Sequence, residues 1–422
     1  MPPKYPAAEF DPFAHPLDAL LADIAINIQL PPGLHEKANN RYEAVRAHAE
    51  RPGSPLAGVV KRFYPQGSML IDATISTRGT DDEYDLDIVA ELDLPPHSAP
   101  NEPLDLLMEA LKDYPVQKVI RQTRCVTLSY ADRMHLDVTP ASRLPLSNER
   151  ESHIFHAKAE EHYSKHFHVP MNAWGFGTWY TARTPLEYQL AKALNRRLLE
   201  AYGMEIAADA EVDDVPGQAP ITFKNTATVA LQLLKRFRNI QYATYKGRVP
   251  PSVMLSCFAG HAATLNISLS GMVIRIARSI ARAIGEATRR GQKLSVVNPV
   301  YLHDCFTDRW PENIDQQDEF AERLTGLADG LEALQRREAP LEELQDWLRE
   351  QFGDLVVSRS VQQFNKRAGR AIQDARQVYR PSGQVYVPSR PAIIAGVGAA
   401  AASRPASAAI ARPHTFRGQR RR

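Results

Sequence analysis

Residues 66–89 read QGSMLIDATISTRGTDDEYDLDIV, and near the end two carboxylates, Asp85 and Asp87, interrupt a run with the composition of a buried strand. Side chains alternate along a strand, so Asp85 and Asp87 share one face while Leu86, Ile88 and Ala90 share the other, toward a core. Strand rise puts the two carboxylates roughly 7 Å apart. They repel each other and are costly in an apolar setting unless a positive charge meets them. The chain therefore has to build a sheet with one covered apolar face and one face that receives a cation. Asp137, in HLDVTP, has the same setting, with Leu136 and Val138 turned the other way, and is the best third carboxylate. Hard oxygen ligands select Mg²⁺ or Mn²⁺.

The Gly67-Ser68 pair ahead of this strand fits a phosphate: glycine lets the backbone approach closely and serine offers a hydroxyl. Three strand carboxylates and a Gly-Ser turn suit nucleotidyl transfer, in which paired metal ions, about 3.5–4 Å apart, activate a hydroxyl and neutralise a leaving pyrophosphate. A D-x-D pair alone is common in solvated turns; the combination is what discriminates. Asp81, Asp82 and Glu83 read as such a solvated turn, and Asp72 as a turn residue.

With 422 residues the chain has room for two or three domains, and a net charge of +2 argues against a protein that coats nucleic acid. Its three cysteines, Cys125, Cys257 and Cys305, have neither zinc-site nor disulfide-framework spacing, which points to a reducing cytoplasm. The first twenty residues lack a basic stretch leading into an apolar run, and no membrane span is expected. The nearest approach, 253–277, carries His, Asn and Ser and reads as a buried helix.

The first half is mixed: a helix over 32–50, a strand or helical continuation at 59–64, the Asp85 strand ending at Pro95-Pro96, a helix at 104–112, and strands at 125–130 and 134–138 around the turn 131–133. Beyond Pro185 helices dominate: 186–202 with Gly203 as its stop, 223–242, 252 onward, and 316–352, with a loop at 298–311. From Pro381 the chain is rich in Pro, Ala, Ser and Arg and ends HTFRGQRRR, a flexible tail.

The sequence resembles the polymerase-β-like nucleotidyltransferases and, more narrowly, the bacterial CD-NTases of CBASS antiphage systems. The resemblance rests on QGS at 66–68 with DLDIV at 85–89, HLDVTPA at 135–141, MNAWGFGTWY at 171–180, LQLLKRFRN at 231–239 with PPSVMLSCFA at 250–259, and NPVYLHDCFTDRW at 298–310. Ala173 and Asn239 depart from the usual Pro and Asp of those stretches. The resemblance implies an α+β fold: a polymerase-β-like core over 1–184, a helical oligoadenylate-synthase-like lobe over 185–380, and a tail over 381–422. It implies that Asp85, Asp87 and Asp137 hold two Mg²⁺ ions, with Mn²⁺ as substitute. Gly67, Ser68, Lys235 and Ser252 would bind the donor triphosphate. The implied reaction makes a cyclic di- or trinucleotide from NTPs, ATP among them, which activates a downstream effector. A ubiquitin-conjugation-like ancillary protein acting on the C-terminal tail is a further implied partner; a membrane or a stable nucleic-acid partner is not.

Read without that resemblance, Lys235, Arg236 and Arg238 are a solvated helix face, and Trp174, Phe176, Trp179 and Tyr180 an interface core. The histidines of HIFHAKAEEHYSKHFH have no repeating metal spacing. A linear, template-independent polymerase and a catalytically silent nucleotide sensor are the competing functions.

Overall fold

The computed structural model describes residues 12–386 apart from 14, 31, 77–83, 96–97, 145–149, 209–224, 337–340, 374–377 and 380–384. The Asp81–Glu83 turn and nearly all of the C-terminal tail therefore lie outside the described residues.

The first half is built on a mixed sheet. Strand β1 (Val60–Pro65) pairs antiparallel with β2 (Tyr84–Leu92), which lies parallel to β5 (Met134–Arg143); β4 (Val126–Ser129) and β3 (Lys118–Arg121) continue antiparallel beyond it. Strand β6 (Ser152–His156) pairs with the far end of β5 and with β7 (Phe167–Met171). The alternation read in the sequence decides the two faces. Leu86, Ile88, Ala90, Leu136 and Val138 are buried in one cluster with Ala38 and Val45 of α2 (Pro32–Ala49) and Leu107, Ala110 and Leu111 of α4 (Glu102–Leu111). The short helix α3 (Gly67–Leu70) lies between β1 and β2 in the chain and packs on β2. The 59–64 stretch is thus a strand, its Val60 to Pro65 backbone paired with β2.

The helical core contains α5 (Ala173–Arg183), α6 (Tyr188–Ala208), α7 (Thr226–Gln241), α8 (Ser252–Ala262), α9 (Leu269–Arg289), α10 (Ile314–Arg336), α11 (Leu341–Phe352) and α12 (Asp354–Gln373). It also contains α1 (Pro16–Asn27) from the other end of the sequence, in which every residue from Leu17 to Asn27 is buried. A helix covered all round has no amphipathic period, so its sequence carries no helical signature. Its buried polar groups are met across the chain. Asp23 of α1 pairs with Arg197 of α6 at 3.1 Å and with Arg367 of α12. Asp18 accepts from the Ser270 amide at 2.7 Å and the Ser270 hydroxyl at 2.5 Å.

Three helical expectations and one loop need correcting. Helix α6 does not stop at Gly203 but runs to Ala208, since one interior glycine costs only about 1 kcal/mol. The 253–277 stretch is two helices: Asn266 has φ 58°, and Ser268 caps α9 by accepting from the Gly271 amide at 3.1 Å. The 316–352 stretch is also two helices, α10 and α11. The 298–311 loop contains part of a hairpin, β8 (Val297–Asn298) with β9 (Tyr301–Cys305). Among the described residues no helix is long and apolar enough to cross a membrane.

Removing Asp23 strands two guanidiniums in a largely dry setting. Asp23→Ala is expected to lower unfolding stability by about 3–5 kcal/mol in urea titration, and a loss under 1 kcal/mol would show that solvent already neutralises the triad.

Candidate active site

The parallel register of β2 and β5 sets Asp85 beside His135 and Asp87 beside Asp137. Neighbouring strands lie about 4.8 Å apart, so two carboxylates face each other across the sheet with a third one pleat away. The Gly67 turn closes over them. Gly67 has φ +60°, and a Cβ there would stand 2.4 Å from Asp87 Oδ2. Only glycine leaves the carboxylate its place. The turn is held by the Gln66 amide donating to the Asp87 carbonyl at 2.8 Å and the Gln66 side-chain amide donating to Thr139 Oγ1 at 3.2 Å. Ser68 Oγ accepts from the Thr74 hydroxyl at 3.1 Å.

The electrostatics follow from this crowding. Burial first, then the charges of Asp137 and Asp85, push the Asp87 carboxyl up to about 7, against the pull of Lys235. Asp137 is also raised by burial, opposed by hydrogen bonds from Thr127 and Cys125; the Thr127 hydroxyl donates to Asp137 Oδ1 at 2.5 Å. Burial and the neighbouring Asp137 and Asp87 hold the Cys125 thiol protonated.

Helix α7 brings cations to the same face. Lys235 is buried and donates to the Ala73 carbonyl at 2.8 Å, while Gln232 one turn earlier donates to the Thr74 carbonyl at 3.0 Å. Both anchor α7 to the segment that follows the Gly-Ser turn. Ser252, the first residue of α8, accepts from Arg238 Nη1 at 2.6 Å. Arg238 also donates to the Pro250 carbonyl at 3.0 Å. Burial lowers its guanidinium to about 10, against the opposing pull of Asp85. The structure therefore brings Gly67, Asp85, Asp87, Asp137 and Lys235 into one charge cluster and joins Ser252 to it through Arg238. Sequence reasoning grouped Arg238 with Lys235 and Arg236 as a solvated helix face and did not assign it to the site; its signal was the three-residue spacing from Lys235, which puts both on one helix face. Arg236 is structural, donating to the Phe352 carbonyl at 2.8 Å.

The three carboxylates offer hard oxygens on one face, a donor set that fits Mg²⁺ or Mn²⁺. Among the described residues no three His, Cys, Asp or Glu side chains form a ready-made metal cage; Asp137 is held toward Thr127 instead. The histidine run is engaged elsewhere, His156 stacked on Phe167 at 4.4 Å and His153 beside His168 at 5.7 Å. Phe176 and Tyr180 are buried in the helical core, and Trp174 packs against Tyr64. Asn172 and Asn298 have a framework role. The Asn172 amide and the Asn298 side-chain amide both donate to Asp304 Oδ2, at 3.0 and 2.9 Å, tying α5 to the β8–β9 hairpin.

No protein-family model matches the chain. It is 58% identical over 411 residues, 97% of each chain, to the cyclic dinucleotide synthase CdnG of Bradyrhizobium diazoefficiens. It is 23% identical over 321 residues, 74% of this chain and 77% of the relative, to a c-di-GMP synthase of Roseivirga ehrenbergii. The structure of the Bradyrhizobium CD-NTase CdnG in complex with GTP superposes with TM-score 0.74 at 57% identity, covering 84% of this chain and 99% of that one. The E. coli MS115-1 CdnC structure with ATP (TM-score 0.52, 14% identity, 81% and 98% covered) shares the fold alone.

The raised Asp87 carboxyl makes a prediction with a definite sign. A folded-state value above the unfolded one means the folded protein holds the proton more tightly, so this contribution to stability is present near pH 4 and lost as pH rises through about 7. In chelator, the melting-temperature gain of Asp87→Asn over wild type is expected to be small at pH 5 and larger at pH 8; an equal gain at both would show that the carboxylate is already compensated.

Proposed function

Since the chain belongs to the CD-NTase family of nucleotidyltransferases, we propose that it joins two nucleoside triphosphates and closes them into a cyclic dinucleotide in the cleft floored by Asp85, Asp87 and Asp137. The observation that carries this reading is the Asp87–Asp137 register under the Gly67 turn, reached by cations of α7. Asp85, Asp87 and Asp137 would hold divalent cations, with Mg²⁺ the expected ion and Mn²⁺ its substitute. When bound, the metal supplies acidification of the attacking hydroxyl and neutralisation of the triphosphate.

The chain's own residues position the substrates. Gly67 lets the triphosphate approach the backbone, and Ser68 offers its hydroxyl. Lys235 and Arg238 supply positive charge from α7, and Ser252 adds a hydroxyl at the N-terminus of α8, where helix dipole and free amides favour an anion. The Thr127 hydroxyl fixes one Asp137 oxygen, which leaves the carboxylate oriented for the cleft. Positioning and charge neutralisation do most of the work in phosphoryl chemistry of this kind. GTP is the first substrate to test, because the Bradyrhizobium relative was solved with it; ATP is the second. The cyclic product would signal to an effector in the cytoplasm as part of CBASS defence, with an ancillary conjugation-type protein acting on the tail.

The test uses purified protein, the four labelled NTPs, and Mg²⁺ or Mn²⁺. A phosphatase-resistant product is expected, lost by at least about a hundredfold in Asp85→Ala/Asp87→Ala. A phosphatase-sensitive ladder would establish the linear polymerase instead, and nucleotide binding with no pyrophosphate release the silent sensor.

A further inference from the structure

A cavity of about 370 Å³ opens at the C-terminal ends of β2 and β5, away from the carboxylate cluster, and is lined by Lys61, Arg62, Glu91, Asp93, Ser142 and Arg143. Its volume lies within the range of small-molecule sites, about 300–1,000 Å³. Glu91 stands four residues beyond Asp87 on β2 and on the same face, roughly 13 Å along the strand. Val89, between the two on that face, is packed with Tyr64, Ala141 and Met171, so a plug of buried apolar side chains separates the cavity from the cleft.

The charges in this cavity are not matched to one another. Glu91 is only 3% exposed, yet its Oε2 has no hydrogen-bond partner among the described residues. Neither Arg62, opposite it in the β1–β2 register, nor the Tyr64 hydroxyl, itself without a partner, supplies one. Ala141 lies beside Glu91 on β5, and alternation puts Arg143, two residues on, over the same face. Arg143 is exposed and makes no ion pair among the described residues. Lys61 and Asp93 neutralise each other at 2.8 Å. A buried carboxylate oxygen left unmet is costly, and a guanidinium at the mouth is suited to a phosphate or carboxylate. A bare anion would be repelled by Glu91, and a bare cation by Arg62 and Arg143. A molecule with hydrogen-bond donors at one end and an anion at the other satisfies both.

We propose that this cavity is a second nucleotide site, which binds a guanine mononucleotide outside the catalytic cleft. An ionised carboxylate only accepts hydrogen bonds, and guanine presents two adjacent donors, N1–H and the exocyclic amine, on one edge. Adenine presents a donor beside an acceptor there, which a carboxylate cannot match. Glu91 therefore takes the base edge, Leu94 gives the base an apolar wall, and Arg143 with Arg62 takes the phosphate. Binding here requires neither a divalent ion nor transfer chemistry.

The test is equilibrium dialysis of labelled GMP against the full chain in excess EDTA, which keeps divalent ions off the carboxylate cluster. Wild type is expected to bind one GMP, and AMP about tenfold or more weakly. Glu91→Gln, which keeps the side chain's size but replaces an acceptor oxygen with a donor amide, weakens GMP by about tenfold or more and narrows the gap to AMP. Arg143→Ala, at an exposed position that the fold does not depend on, weakens GMP and AMP alike. Asp85→Ala/Asp87→Ala leaves GMP affinity unchanged. Failure of wild type to bind GMP at millimolar concentration overturns the assignment. So does wild-type affinity in both the Glu91 and Arg143 variants, or loss of GMP in the Asp85/Asp87 variant, which would put the nucleotide in the catalytic cleft.

Discussion

The close parallel pairing of β2 with β5 is the constraint from which the rest of the site follows. It sets Asp87 against Asp137 in register and leaves Asp85 one pleat away, so the sheet carries a concentrated negative charge on one face while the other face is an ordinary aliphatic core. Such an arrangement is unfavourable by itself: burial and mutual repulsion raise Asp87 to about 7. Everything around it answers that charge. The Gly67 turn keeps a side chain from displacing Asp87, Thr127 and Cys125 satisfy Asp137, and α7 approaches with Lys235 and Arg238.

The helical half makes this approach reproducible. Lys235 and Gln232 are hydrogen-bonded to the carbonyls of Ala73 and Thr74, so the cations of α7 are fixed relative to the chain that leaves the Gly-Ser turn. Helix α1, buried among α6, α7, α9 and α12, ties the start of the chain to its last long helix through Asp23 and Arg367. The Asn172–Asp304–Asn298 network does the same between α5 and the β8–β9 hairpin. Charges that must be held apart until substrate arrives are mounted on elements braced by buried polar contacts.

How much of this could be read in the sequence depended on whether the signal was local. The carboxylate strands were readable because alternation is a two-residue pattern, and their faces emerge as expected for Leu86, Ile88, Leu136 and Val138. The Gly67 turn was readable as a glycine requirement; the reason for it, a clash with Asp87 twenty residues on, is tertiary. Helix α1 was not readable, because a fully buried helix lacks a polar face. Gly203 misled because helix propensity is a weak local preference that neighbours override. Arg238 was hidden for the same reason: a surface-like residue in sequence, it acquires meaning from Asp85 and Ser252, which only the fold brings near.

The most direct measurement is Mn²⁺ binding, followed by electron paramagnetic resonance, to the protein loaded with α,β-methylene-GTP. Wild type is expected to bind the cation, and Asp87→Asn and Asp137→Asn each to weaken it by about tenfold or more, while Asp132→Asn, at the opposite end of β5's entry turn and paired with Lys37 and Arg41, leaves it unchanged. Equal Mn²⁺ affinity in wild type and the Asp87 and Asp137 variants would contradict a carboxylate cluster built to receive a divalent ion.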